Sequence, residues 1–204
     1  MTVAGQKMSK SLGNFITIED LLKRCKAQYL RFMVVKNLWQ SSMDYSESAM
    51  IEVKSAIDKV EEFLRKIKSI KSGESIIETS ALIKKFSDDF YTELSNNFNT
   101  PKAFAVMFEF IGKINELLDK NSISKKQASE IYKIFQNINK IFGIINFENV
   151  TRAIPLEIKK LAKLREQHRK NKDWKKSDEL RNELESKGYI VEDTDKGPVI
   201  KNIS

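Results

Sequence analysis

The fold of this chain of 204 residues is decided by one stretch, TPKAFAVMFEFIGKINELLDK, at residues 100–120. Thr100 is a good N-cap, and Pro101 suits the first helical turn because its missing N–H would have no partner there. Apolar side chains dominate the next ten positions: Phe104, Val106, Met107, Phe108, Phe110 and Ile111. The stretch therefore predicts a helix from Pro101 to Lys120 at the centre of a helical core.

Other amphipathic helices are predicted on both sides of this one, because apolar residues recur there at three- and four-residue steps. Their expected ranges are residues 18–39, 46–72, 78–94 and 124–142. Thr17 is the expected cap of the first, while Gly73 and Gly143 are stop signals for the second and the last. Residues 1–17 and 143–153 are expected to be irregular.

The C-terminal part differs in character. Helices are predicted near residues 155–171 and 173–187, followed by two short β-type runs at 189–193 and 197–201 that form a hairpin around residues 194–196. The predicted fold class is mainly α: a helical bundle of about five helices, followed by a small basic α+β module with a β-hairpin. The predicted domains are residues 1–17, 18–150 and 151–204.

The composition excludes several classes of protein. With 41% apolar and 31% charged residues and only 7 Gly and 3 Pro, the chain fits a folded, helix-rich protein. One cysteine (Cys25) and one histidine (His168) cannot supply an internal disulfide or a Cys- or His-pair metal site. No apolar run is long enough to cross a membrane, and the first residues lack a signal-peptide core. A cytoplasmic location without membrane contact is expected.

The net charge of +8 is concentrated near the C-terminus. Residues 152–188 hold 12 Lys and Arg against 7 Asp and Glu, which is +5 of that total. Such a density is typical of a phosphate-binding surface. The alternative is a solvated lysine-rich helix face, and composition alone slightly favours this second interpretation.

The segment KMSKSLGN at residues 7–14, here called the signature loop, is the motif most informative about chemistry. Two lysines three residues apart, interleaved with serines, suit an anion clamp that stabilises charge developing on a phosphate. The glycine spacing of a P-loop is absent. The residues of the signature loop, taken alone, are also compatible with an ordinary exposed basic loop.

The signature loop resembles the Lys-Met-Ser-Lys-Ser loop of class I aminoacyl-tRNA synthetases. The resemblance implies that this loop closes over ATP and stabilises the transition state of amino-acid activation. It also implies that Lys10 contacts the ATP phosphates. The catalytic candidates it implies are Lys7, Met8, Ser9, Lys10 and Ser11.

Further segments are similar to cysteinyl-tRNA synthetases in the order in which that family has them. They are FITIEDLLK (15–23), LRF (30–32), MDYSE (43–47), FNTPKA (98–103) and the pattern from Arg165 to Gly197. By this resemblance the chain is identified as a member of that family, corresponding to its C-terminal part. It departs from the family pattern at Trp39-Gln40, at Asn96-Asn97 and at Ile200, where the family has Tyr-Arg, an acidic pair and Trp.

The resemblance implies a role for each predicted domain. Residues 1–17 would be the signature loop and the end of a catalytic domain, 18–150 a stem-contact, DALR-like bundle, and 151–204 an anticodon-binding module. The family activates cysteine with ATP and transfers it to tRNA(Cys). Its Rossmann-type nucleotide site and its zinc ligands lie upstream of the loop, so zinc is expected in the full-length enzyme with no ligands in this chain. Alone, this chain is expected to be inactive, and monomeric.

Four residues match positions where the family contacts the anticodon: Arg169, Trp174, Asp178 and Asp193. Trp174 could stack on a splayed base or anchor the core, and Arg169 offers a fork suited to guanine. Asp178 and Asp193 could accept hydrogen bonds from exocyclic amines. Helix-surface ion pairs (Arg169, Asp178) and a turn cap (Asp193) are the alternatives.

Two rival functions are kept open. The chain could be a stand-alone RNA-binding or regulatory module derived from such an enzyme, although an intact activation loop has no use in a pure binder. An enzyme joining cysteine to a sugar amine would share the signature loop. It should lack the anticodon module, so the pattern from Trp174 to Asp193 argues against it.

Overall fold

The computed structural model describes residues 2–3, 5–151, 154–194 and 197–202. The chain divides into two compact units, Met1–Val150 and Thr151–Ser204. They are called the N-terminal and the C-terminal unit below, and each is described by itself.

The N-terminal unit is mostly helical. Its helices are α1 (Ile18–Arg24), α2 (Ala27–Val35), α3 (Glu47–Ser69), α4 (Ile77–Ser95), α5 (Thr100–Asp119), α6 (Lys125–Phe142) and α7 (Phe147–Thr151). Three two-residue strands, β1 (Thr2–Val3), β2 (Gln6–Lys7) and β3 (Asp44–Tyr45), form a small sheet in which β1 pairs antiparallel with β2 and parallel with β3. The predicted mainly α fold class is confirmed.

The core of this unit is aromatic and centres on α5, as its sequence predicted. Phe86 of α4 stacks on Phe110 of α5 with ring centroids 4.1 Å apart. Phe135 of α6 and Phe63 of α3 pack around this pair. Each aromatic contact contributes about 0.5–1.5 kcal/mol beyond the burial of its area. The four long helices are thereby fixed to one another.

Several local predictions for this unit were wrong. The helix expected at residues 18–39 is broken, because Cys25 and Lys26 adopt extended backbone between α1 and α2. The break lets Leu21 and Tyr29 both reach the core. Residues 1–17, expected to be irregular, contain two of the short strands and a 3-10 helix, and residues 143–153 contain α7.

Two turn residues act differently from the prediction. Asn99 caps α5 by accepting a hydrogen bond from Lys102 N, while the hydroxyl of Thr100 donates to Asn37 O at 3.2 Å. Gly73 does not end α3, which ends at Ser69. Instead, Gly73 lies so close to the carbonyl of Ile123 that a Cβ would clash with it.

The C-terminal unit consists of two helices and a hairpin. α8 (Leu156–Lys170) packs against α9 (Trp174–Ser186), and the strands β4 (Tyr189–Thr194) and β5 (Gly197–Asn202) pair antiparallel. The core is small and apolar, and it consists of Ile158, Ala162, Leu184, Tyr189 and Val191. The predicted hairpin is confirmed, and residues 195–196 of its predicted turn lie outside the described residues.

Candidate nucleic-acid interface

Two arginines of α8 share one side of the helix, because Arg165 and Arg169 are four residues apart. That side also carries Ile158 and Ala162 into the core. Arg165 is itself buried, with 5% of its surface exposed, whereas the side chain of Arg169 is 35% exposed. The helix thus offers one buried and one accessible guanidinium.

Asp193 of the hairpin binds both arginines. Alternation along β4 puts it on the same face as the buried Tyr189 and Val191. Its Oδ1 accepts a hydrogen bond of 2.7 Å from Nη1 of Arg165, and its Oδ2 accepts one of 3.0 Å from Nη2. Nη1 of Arg169 pairs with Oδ2 as well. This arginine cluster (Arg165, Asp193 and Arg169) holds two positive charges against one negative.

The connection between α8 and α9 fixes the position of Trp174. Lys172 adopts a positive φ of 58°, and Asp173 then caps α9 by accepting a hydrogen bond from Lys176 N. The other carboxylate oxygen of Asp173 lies 3.1 Å from Nδ1 of His168. Desolvation raises the pKa of Asp173, but these hydrogen bonds outweigh it and the pKa falls below its usual value. Trp174, the first residue of α9, is held by this capped turn with 58% of its surface exposed.

A cavity of about 230 Å³ lies between α8, the start of α9 and the hairpin. It is lined by Glu166, Arg169, Lys170, Trp174, Asp193, Gly197 and Pro198. This Trp174 cavity is smaller than the roughly 300–1,000 Å³ of drug-sized ligand sites, so it suits a single flat ring. Its walls offer an indole face and a guanidinium, the two groups with which proteins stack and read bases.

The structure brings together three of the four residues predicted to contact the anticodon. Arg169, Trp174 and Asp193 all line the Trp174 cavity. Trp174 is exposed, so the alternative of a buried core anchor does not apply. Asp193 pairs with two arginines, whereas residues 195–196 of the turn that it was alternatively expected to cap lie outside the described residues. Asp178 does not line the cavity but lies exposed one turn beyond Trp174, on the same side of α9.

The signature loop is folded by its own hydrogen bonds. Ser9 caps a 3-10 helix at Lys10–Leu12, which ends at Gly13 with a φ of 66°. The amide of Asn14 bridges the loop: its Oδ1 accepts from Ser9 N at 2.9 Å, and its Nδ2 donates to Lys7 O at 3.1 Å. A hydrogen bond of 3.1 Å also joins the hydroxyls of Ser9 and Ser11. The loop backbone is therefore fixed without help from the lysine side chains.

The side chains of the signature loop divide into two groups. Lys7 and Lys10 are exposed and form no ion pair with any residue that the structure describes, and the ammonium of Lys10 lies 5.7 Å from the Phe15 ring centroid. Met8 instead lines an apolar groove of about 890 Å³ together with Phe15 and Leu22. The lysines are thus available to an anion, while Met8 has a packing position.

Sequence reasoning missed two residues that shape these sites. Arg165 was noted only as the first position of the family pattern from Arg165 to Gly197. Its four-residue spacing from Arg169, together with the alternation of side chains in β4, indicates that both arginines can share Asp193 as a partner. Asn14 stood out only as a continuation of the motif. Its bridging role depends on the loop conformation, for which the sequence carries no periodic signal.

Two negative findings concern the described ranges alone. Across them, no three His, Cys, Asp or Glu side chains are grouped so as to hold a metal ion. Nor does any helix in those ranges have the length and apolar character needed to span a bilayer.

Comparison with known protein families identifies the parts of this molecule. A family model described as tRNA synthetases class I (C) catalytic domain matches residues 1–55, which include the signature loop. A DALR domain model matches residues 89–146. A model of the cysteinyl-tRNA ligase anticodon binding domain matches residues 151–198, which include the Trp174 cavity. These matches define a portion of a class I aminoacyl-tRNA synthetase.

Individual relatives narrow the assignment. The chain is 32% identical over 204 residues to a cysteine–tRNA ligase of Chlamydia abortus, covering 98% of the chain and 43% of the relative. It is 33% identical over 202 residues to a cysteine–tRNA ligase of Leptospira interrogans, covering 97% of the chain and 43% of the relative. The chain belongs to the cysteine–tRNA ligase family and matches the C-terminal part of its members. It spans less than half the length of these curated relatives.

Proposed function

We propose that this chain is the tRNA-binding portion of a cysteine–tRNA ligase and that its C-terminal unit binds the anticodon of tRNA(Cys). The observation that carries the proposal is the Trp174 cavity, in which an exposed indole and a partly exposed guanidinium line a space sized for one ring. The family model that covers this unit describes an anticodon binding domain, which supports the same role.

Each residue of the cavity has a distinct proposed task. Trp174 stacks on an unstacked anticodon base, an interaction that contributes about 1–3 kcal/mol per base. Arg169 donates to the acceptors of guanine, since its planar fork matches that edge. Asp193 holds Arg169 in place through their ion pair. Asp178, exposed on α9 outside the cavity, accepts a hydrogen bond from an exocyclic amine.

The signature loop has a separate proposed task in the complete enzyme. Lys7 and Lys10 would bind the phosphates of ATP, with the hydroxyls of Ser9 and Ser11 as further donors. Two observations support this role. Hydrogen bonds to Asn14 hold the loop backbone in a fixed conformation, and the lysine side chains form no ion pairs within the described residues. Met8 would anchor the loop in the apolar groove. ATP and cysteine are thus proposed substrates of the complete enzyme, and these 204 residues alone are expected not to form cysteinyl-adenylate.

Among the residues that the structure describes, no three His, Cys, Asp or Glu side chains are grouped so as to hold zinc. Desolvation also raises the pKa of the Cys25 thiol, which disfavours the thiolate that zinc needs. The described part of this chain therefore does not fit a zinc site. The proposed compartment is the cytoplasm, and the proposed state is a monomer, which sedimentation would test.

The proposal is tested by filter binding of this chain to tRNA with a GCA anticodon, and to the same tRNA with one anticodon base changed, at two salt concentrations. Trp174→Ala is expected to weaken binding to the GCA tRNA about tenfold and to reduce the preference for it. Ile77→Ala, which removes a side chain that is 87% exposed in the N-terminal unit, is the matched control. Equal, salt-sensitive binding of both RNAs by the unmodified chain would contradict anticodon reading and favour a purely electrostatic RNA binder.

A further inference from the structure

A second exposed aromatic site lies on the N-terminal unit, far along the sequence from the Trp174 cavity. Trp39, after the end of α2, has 64% of its surface exposed. Its indole N–H donates to the carbonyl oxygen of Asn97 at 3.3 Å. The ring is therefore oriented by a hydrogen bond while its faces remain largely in solvent.

The turn that binds Trp39 is strained. Asn97 and Phe98 both have a positive φ, 53° and 55°. This conformation is ordinary for Asn but unusual for a bulky residue such as Phe. The Phe98 ring is 46% exposed, and it also packs against the buried Phe142, with ring centroids 6.1 Å apart. The contact with Phe142 orients the ring, while much of its surface remains exposed to a ligand.

The strained turn and the Trp39 segment hold each other rigidly. Phe98 N donates to Leu94 O at 3.0 Å and Asn99 N donates to Glu93 O at 3.2 Å, which fixes the turn to the end of α4. The Thr100 hydroxyl donates to Asn37 O, two residues before Trp39. The two segments are thus joined at two points, and the exposed rings belong to a preformed surface.

The charges around this surface favour a polyanion. In residues 36–43 and 94–102 the only charged side chains are Lys36 and Lys102. Neither lysine forms an ion pair with a residue that the structure describes. The other exposed groups are the apolar side chain of Leu38 and amides and hydroxyls such as those of Gln40, Ser41 and Asn96. Two carboxylates lie just outside these ranges: that of Glu93 has a buried oxygen, and that of Asp44 accepts hydrogen bonds from Thr2 and Gly5. Aromatic rings flanked by lysines are groups that single-stranded or unstacked RNA binds.

We propose that Trp39 and Phe98, here called the Trp39 platform, stack on an unstacked base of the tRNA outside its anticodon stem–loop. This inference rests on the proposed tRNA-binding function but concerns a different unit and a different part of the RNA. Lys36 and Lys102 bind the adjoining phosphates. Such a contact adds affinity for the whole tRNA without reading its anticodon.

The first test compares the full tRNA with its isolated anticodon stem–loop. Trp39→Ala is expected to weaken binding of the full tRNA about tenfold, equally for the GCA and the changed anticodon, and to leave binding of the stem–loop unchanged. Leu38→Ala, an adjacent exposed apolar side chain (43% exposed), is the matched control and should change affinity less than twofold.

The outcomes separate this inference from the anticodon proposal. Full-tRNA affinity that is unchanged in Trp39→Ala but reduced in Trp174→Ala overturns the platform and leaves anticodon binding intact. The reverse pattern supports the platform and contradicts anticodon binding. A Trp39→Ala effect of equal size on the stem–loop overturns the location proposed here.

Two further readouts distinguish a binding role from a structural one. Phe98→Gly relieves the positive φ but also removes the ring contact with Phe142. The two effects oppose each other, so the resistance of the chain to unfolding should change little while full-tRNA binding weakens severalfold. Trp39 and Trp174 are the two tryptophans of the chain, so in Trp174→Phe the emission comes from Trp39 alone. Saturable quenching by full tRNA and none by the stem–loop is expected, whereas an unquenched Trp39 overturns the proposal.

Discussion

The signature loop and the arginine cluster both present cations to a proposed anionic or base ligand, but they hold those cations in opposite ways. In the signature loop the backbone is fixed by the Asn14 amide, and the lysines are free of ion pairs within the described residues. In the arginine cluster the guanidiniums themselves are fixed by Asp193. The loop therefore suits a transient ligand whose charge changes during reaction, and the cluster suits a ligand recognised by its shape.

This difference predicts that the arginine cluster matters for stability as well as for binding. Asp193→Ala should lower the free energy of unfolding of the C-terminal unit by about 3 kcal/mol, because Arg165 would remain buried without a counter-charge. The value is at the low end of the range for a broken buried pair, since Asp193 is itself 37% exposed. Urea unfolding of a Trp39→Phe chain, with Trp174 as the reporter, measures it.

The control for that change is Asp178→Ala, which removes an exposed carboxylate outside the cluster. It should alter the free energy of unfolding by about 0.5 kcal/mol or less. If Asp193→Ala proved as stable as Asp178→Ala, the Asp193 carboxylate would not be needed to balance the buried charge of Arg165. The arginine cluster would then not differ from the signature loop in how its cations are held.

The second prediction separates charge from shape at Arg169. Arg169→Lys keeps the positive charge but loses the planar fork, so it should reduce discrimination between anticodons by about 2 kcal/mol while leaving the salt dependence of binding nearly unchanged. Filter binding of the two tRNAs at several salt concentrations gives both quantities. Retained discrimination in Arg169→Lys would mean that Arg169 acts only as a charge.

A smaller effect is expected in the signature loop. Asn14→Ala removes two hydrogen bonds that bridge the loop, so local opening should become easier by about 1 kcal/mol while global stability stays the same. Amide hydrogen exchange at Ser9 measures the change. Lys10→Ala, which removes no hydrogen bond from the loop backbone, should leave that exchange rate as it is. Equal rates in Asn14→Ala and the unmodified chain would show that other contacts hold the loop.

The smallest predicted effect concerns the unpaired lysines of α8. Lys163 is exposed and forms no ion pair with a described residue. Lys163→Gln should weaken binding equally for both tRNAs and reduce the slope of log affinity against log salt by about one. An unchanged slope would favour the solvated-face interpretation of the C-terminal charge.

Much of the fold could be predicted from local sequence signals. Thr17, which caps α1, Gly143, which ends α6, and the apolar stretch of α5 are such signals, and each was interpreted correctly. The break at Cys25 could not be predicted, because no Gly or Pro marks it and the apolar spacing continues across it. Thr100 and Asn99 are both good caps, and a tertiary hydrogen bond from Thr100 to Asn37 decides between them.

The sites were predicted less completely than the fold. Resemblance to a family selected Arg169, Trp174 and Asp193, and these three lie around one cavity. It could not indicate that Asp193 is committed to two arginines, since that depends on the strand register that places it opposite α8. The positive φ at Phe98 is likewise not indicated by the sequence, because Phe is not a residue type that favours this conformation.

The most direct test of the central claim, that the Trp174 cavity reads an anticodon base, is a fluorescence titration of the Trp39→Phe chain, in which Trp174 alone emits. The ligands are an anticodon stem–loop with GCA and the same stem–loop with one anticodon base changed. Anticodon reading predicts saturable quenching of Trp174, with an affinity for the changed loop that is about tenfold weaker. Equal quenching by both loops, or none by either, would contradict it.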